Sequence, residues 1–118
     1  MRYLIVVLIT INCYGGILDF DYLNKANEAY SKKDFKTASQ NYAKIDNDSA
    51  KYNEANSLYK QNNYKKSLEV YRQIKDKNLQ FDKLYNIGNA LAKLGKIDDA
   101  IKSYEDALKI KDDKDTRY

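Results

Sequence analysis

The chain has no histidine, no proline and no tryptophan, and its 118 residues include one cysteine, one methionine and four glycines. Each absence removes a possibility. Without histidine there is no usual general base, no commonest metal ligand and no Ser-His or Cys-His nucleophile pair. One cysteine cannot close an internal disulfide. Gly15-Gly16, Gly88 and Gly95 are too scattered for a loop that cradles phosphate. The 21 Lys and Arg and 17 Asp and Glu give a net charge of +4, with both signs interleaved along the chain. That distribution belongs to solvated helix faces. It supplies neither the basic stripe nor the stacking platform that nucleic acid requires. Carboxylate pairs such as Asp98-Asp99 and Asp112-Asp113 stand on polar stretches where water serves them. The composition therefore reads as a non-enzyme with no cofactor, no metal, no nucleic acid and no small-molecule substrate. Its partners are expected to be other proteins.

Long apolar runs are scarce too. The main one is "YLIVVLITI", Tyr3 to Ile11, behind Arg2 and interrupted by Thr10. It falls short of the ~20 residues of a membrane-spanning helix, and Asn12, Gly15 and Gly16 close it off. A basic start followed by a short apolar core is the plan of a secretory signal. With Cys13 just beyond, the segment resembles a bacterial lipoprotein signal, which is cut before a cysteine whose sulfur carries a diacylglycerol. Thr10 and Asn12 stand where that family favours Leu and a small residue. The resemblance implies a signal peptide over 1–12, lipid attachment at Cys13 and a membrane-anchored exported protein. An ordinary secretory signal or an uncleaved anchor is the alternative.

With no proline to break them, and with Ala, Leu, Lys and Glu recurring, helices are favoured in the remainder. Three segments align: "YLNKANEAYSKKDFKTASQNYAKI" from Tyr22, "KYNEANSLYKQNNYKKSLEVYRQIK" from Lys51 and "LYNIGNALAKLGKIDDAIKSYEDALKI" from Leu84. Tyr42, Tyr71 and Tyr104 occupy matching places, 29 and 33 residues apart. Small residues recur where two helices would cross: Ala26, Ala55 and Gly88 in the first helix, Ala38, Ser67 and Ala100 in the second. Phe35, Tyr64 and Ile97 wedge the turns between them. Tyr42, Tyr71 and Tyr104, then Ile45, Ile74 and Ala107, extend one apolar face at helical spacing. A repeat of this length with two helical patterns per unit resembles the tetratricopeptide repeat. The implied fold is all-α: a right-handed superhelical solenoid of three helix pairs after the N-terminal signal segment. The expected boundaries are a tether at 13–18, repeats at 19–45, 49–75 and 81–110 within 19–110, and a charged, fraying tail at 111–118. Six helices are expected at 19–32, 35–45, 49–62, 65–75, 81–94 and 97–110. The shorter first spacing predicts a shortened helix or clipped turn near Asp46–Ser49.

Stacked helix pairs make a concave surface from the first helix of each pair. Helical phase puts Leu23, Asn24, Asn27 and Tyr30 there from the first repeat. The second contributes Tyr52, Asn53, Asn56, Tyr59 and Lys60, and the third Tyr85, Asn86, Asn89 and Lys93. Asparagine is a poor interior helix residue, because its side chain competes for backbone hydrogen bonds. Its recurrence three residues apart on one face of every repeat points to recognition of a peptide main chain, with tyrosine rings as flat walls. On the last helix, Ile101 and Leu108 are expected to lack a neighbour and so to form a docking patch.

Size, signal and repeat type together resemble the D-subunit family of the outer-membrane β-barrel assembly machinery, whose members usually have about five repeats. That resemblance implies a lipid anchor on the periplasmic side of the outer membrane and a complex with the β-barrel assembly machinery. Two other readings stay open: a general periplasmic peptide-binding scaffold or holdase, and a non-catalytic regulatory subunit of an envelope enzyme.

Overall fold

The computed structural model describes residues 2–115, with side chains for residues 16–113. Six α-helices follow one another: α1 Arg2–Ser31, α2 Phe35–Tyr42, α3 Asp48–Lys60, α4 Tyr64–Arg72, α5 Gln80–Lys93 and α6 Ile97–Asp115. A single 3-10 turn, Lys77–Leu79, precedes α5. The helices pack as three consecutive pairs, α1 with α2, α3 with α4 and α5 with α6, and each pair leans on the next. The expected all-α architecture of three helix pairs is what the chain adopts.

Every pair turns in the same way. Lys33, Asn62 and Gly95 all take a left-handed conformation, with φ of 63°, 62° and 79°. The residue after each sends its N–H back five residues: Asp34 to the Ala29 carbonyl, Asn63 to Leu58 and Lys96 to Leu91, at 2.8–2.9 Å. That closure satisfies the carbonyls orphaned at a helix end. Asp34 then caps α2 by accepting from the Thr37 N–H at 3.2 Å. Asn47 caps α3 in the same manner through Ala50, at 2.8 Å.

The small residues let the paired helices touch. Ala26, Ala38, Ala55 and Ser67 are fully buried. The Ser67 hydroxyl donates across its pair to the Ala55 carbonyl at 2.7 Å, and Ser103 does the same to Leu84 at 2.6 Å. At Gly88 a side chain has no room, since a Cβ there would lie 2.5 Å from the Tyr104 ring. The wedges divide. Phe35 and Tyr64 meet Tyr30 and Tyr59 edge-on, each at 5.1 Å between ring centres. In the third pair Ala92 stands where those tyrosines stand in the others, so Ile97 has no ring to meet and is 54% exposed.

Boundaries differ from expectation by three residues or more in four places. The second and fourth helices end at Tyr42 and Arg72, three residues early. Their final turns tighten to bonds three residues back (Ile45 to Tyr42 and Ile74 to Tyr71, both 3.1 Å), and both isoleucines stay buried as expected. The sixth helix continues to Asp115, so the first part of the charged tail is helical. No glycine or proline stands there to stop it. The backbone of residues 13–18, expected as a tether, is part of α1. The side chains of residues 1–15, that of Cys13 among them, lie outside what the structure describes. The short first spacing arises near Asp46–Ser49: the α2–α3 connection is only 43–47, whereas the α4–α5 connection also holds the 3-10 turn. Among the described residues, no helix is long and apolar enough to cross a membrane.

Candidate functional site

The recurring asparagines have a first task inside the fold. The Tyr42 hydroxyl donates to Asn27 Oδ1 at 2.5 Å, and the Tyr104 hydroxyl donates to Asn89 Oδ1 at 2.6 Å. Between them, Tyr71 donates to Asn56 Oδ1. Each bond joins the second helix of a pair to the first, with one such clasp per repeat. Burial pushes all three phenols above the usual tyrosine range, so each hydroxyl keeps its proton and remains a donor. Sequence reasoning had placed Tyr42, Tyr71 and Tyr104 only on the apolar face. The signal for the clasp was present, because each Asn precedes its Tyr by 15 residues.

The clasp fixes what the groove can do. An amide can both donate and accept, but the oxygens of Asn27, Asn56 and Asn89 are each occupied by a phenol. Each oxygen keeps a second lone pair, and the Asn56 NH2 group donates to no described residue. No buried side-chain nitrogen or oxygen among the described residues lacks a partner, so a free Asn56 Nδ2 is one that solvent reaches.

Asn56 and Asn89 meet on the side formed by α1, α3 and α5. Tyr30, Asn56, Tyr59, Lys60, Tyr71, Asn86 and Asn89 line a cavity of about 190 Å³. All three repeats contribute. Six of the thirteen residues expected in the groove meet here, and the seventh lining residue, Tyr71, comes from a second helix. Asn86 donates to the Tyr52 hydroxyl at 3.0 Å, tying the second repeat to the third. Its Oδ1 receives a long contact from Asn89 Nδ2 at 3.4 Å. The lining contains no carboxylate. Lys60 is exposed and makes no ion pair with a described residue. The cavity is thus a donor-rich pocket with aromatic walls, suited to carbonyl and carboxylate oxygens.

The other expected residues lie elsewhere. Asn53 and Leu23 border a groove of about 330 Å³ between α1 and α3. Tyr85 lies with Leu108 in a pocket of about 470 Å³ between α5 and α6. Asn24, Asn27 and Lys93 are exposed and line none of the three, and Ile101 is 49% exposed on α6. No group of three or more metal-ligating side chains occurs among the described residues.

The comparisons with known proteins agree with this geometry. Residues 81–114 match the family model of the tetratricopeptide repeat. A solved structure, described as the TPR2AB-domain:pHSP90-complex of yeast Sti1, is similar over 80% of this chain and 42% of that one. The TM-score is 0.71 at 20% sequence identity. The fold is a tetratricopeptide-repeat solenoid. No curated protein sequence matches the chain. Tetratricopeptide repeats are typically interaction modules, so the fold suggests a protein–protein interaction adaptor.

Proposed function

We propose that this chain is an adaptor that holds an extended peptide of a partner protein along its concave face. The observation that carries the reading is the central cavity. Three repeats converge there, each lining asparagine oxygen already accepts one donor, and the Asn56 amide lines the cavity with Lys60. Such a surface pairs with main-chain carbonyls and with one carboxylate near the ammonium. The similar solved structure is described as a TPR2AB-domain:pHSP90 complex, in keeping with a protein partner here. Titration of acidic and basic ten-residue peptides against the chain tests this. Acidic peptides are expected to bind more tightly, and Asn56→Ala with Lys60→Ala to weaken them by about tenfold or more. Equal affinity for both peptide classes, unchanged in the double variant, would remove the cavity from the binding surface.

The reading extends to the cell envelope. Cys13 carries a lipid, residues 1–12 are its signal, and the adaptor serves assembly of outer-membrane β-barrel proteins from the periplasmic side. What supports this is the order of Arg2, the apolar run Tyr3 to Ile11 and the single cysteine behind it, followed by the repeats. Gentle detergent extraction of the tagged protein, wild type and Cys13→Ser, tests both parts. Recovery of a large outer-membrane barrel that weakens in the variant is expected. Recovery of soluble or inner-membrane proteins alone, unaffected by the variant, excludes this assignment while leaving the groove intact.

A further inference from the structure

The last helix carries an ordered surface that the concave groove does not use. Ile97, Ile101 and Leu108 are 54%, 49% and 54% exposed. At 100° per residue they fall within one narrow stripe of α6, beside the face through which Ala100 and Ala107 are buried. On one side the stripe drops into the aromatic pocket. Phe81 and Tyr85 stack there at 6.3 Å, Tyr85 tilts against Tyr104 at 5.6 Å, and Leu108 forms the opposite wall. On the other side the helical phase sets Asp98, Glu105 and Asp112 in a single acidic row. None of those three carboxylates is in an ion pair with a described residue.

We propose that this face docks an amphipathic helix of another protein whose apolar stripe is bordered by lysine or arginine. The exposed stripe and the pocket beside it can receive the apolar side of a helix, and the acidic row selects the charge along the edge away from Lys111. A second copy of this chain does not meet that requirement. An antiparallel pairing of two α6 helices sets the acidic row against itself. The other exposed apolar cluster, Ile17, Leu18 and Phe20 on α1, is interleaved with Asp19 and flanked by Asp21. Either arrangement brings carboxylates together.

Two designed helical peptides test the proposal. Both carry leucine at heptad spacing, one with lysine and the other with glutamate at the bordering positions. Fluorescence anisotropy with the 118-residue chain is expected to show the lysine peptide binding about tenfold or more tightly than its twin. Leu108→Glu, an exposed site that tolerates charge without unfolding (checked by circular dichroism), abolishes that binding. Glu105→Lys with Asp112→Lys reverses the preference between the peptides. Lys60→Glu leaves it unchanged, which separates this face from the concave groove. Equal binding of the two peptides, binding of neither, or a preference that survives the charge swap overturns the proposal. So does a self-association in sedimentation that Leu108→Glu dissolves, since a second copy then occupies the face.

Discussion

Tyr71 shows how one hydroxyl can serve both stability and recognition. Its donation to Asn56 holds α4 against α3 and fixes the Asn56 amide at the wall of the central cavity. Tyr71→Phe is expected to cost about 1 kcal/mol in urea denaturation, the ordinary worth of such a bond. The phenol also sets a pH dependence. Its folded-state pKa is raised by burial and by nearby Tyr52, so this contribution is complete below the unfolded value of ~10. It is lost as pH rises above ~10 toward the folded value. Melting curves from pH 8 to 11 should therefore stay level and then fall in the wild type, with a shallower fall in Tyr71→Phe. Lys33 offers a second case. It takes the left-handed turn that Gly95 fills without a side chain. Lys33→Gly is expected to raise stability by about 0.5–1 kcal/mol, since it removes the contact between Cβ and the next carbonyl. No gain in the denaturation midpoint would show that the strain is relieved elsewhere.

Close helix approach and a carboxylate that pins a connection both contribute to how the helices are held. Gly88 lets α5 lie directly against the Tyr104 ring of α6, and Gly88→Ala is expected to cost about 1–3 kcal/mol by displacing that ring. The displacement also stretches the Tyr104–Asn89 clasp, so the variant should loosen the C-terminal pocket before the rest of the fold, as amide exchange would show. Asp48, in the first turn of α3, accepts from the Lys75 and Asp76 N–H groups at 3.0 and 2.8 Å and pins the α4–α5 connection. Those bonds hold its carboxyl below the usual range. Its contribution is thus present above the unfolded carboxylate value of ~3.9 and lost as pH falls through the lower folded one. Asp48→Asn should be less stable at neutral pH and flatter below pH ~4. An unchanged acid limb would mean that another carboxylate dominates there.

The solenoid's core is divided. Ala26, Ala29, Ala38 and Tyr42 form one buried cluster, while residues from Ala55 to Ala100 form another across the second and third repeats. The first cluster is small and rich in alanine, so it buries little apolar area. In a solenoid each repeat leans only on its neighbours, and the repeat with the weaker core opens first. Hydrogen exchange is expected to find α1 and α2 less protected than α3 to α6. A peptide bound in the central cavity, which Tyr30 shares with both later repeats, should slow exchange in the first pair most. Uniform protection in the free chain would argue for one cooperative unit.

The pairs themselves were legible along the chain. Small residues at fixed places, tyrosines at matching places and polar turns dictate where helices start, stop and touch, because those choices rest on local sterics and on the 3.6-residue period. The clipped connection at 43–47 was legible from the spacing alone. What the asparagines do was not. Their repetition announced a purpose, but a residue's hydrogen-bond partner depends on which helix lies opposite. Only the packed pair brings a phenol to each Oδ1, and only the stacking of pairs sets Asn56 and Asn89, but not Asn27, in the central cavity. The same holds for the thirteen residues expected on one surface. Helical phase assigns a face within one helix, whereas the stacking of pairs determines which faces converge. It brings six of them to the central cavity, gives Asn53 and Tyr85 to separate grooves, and leaves Lys93 in solvent.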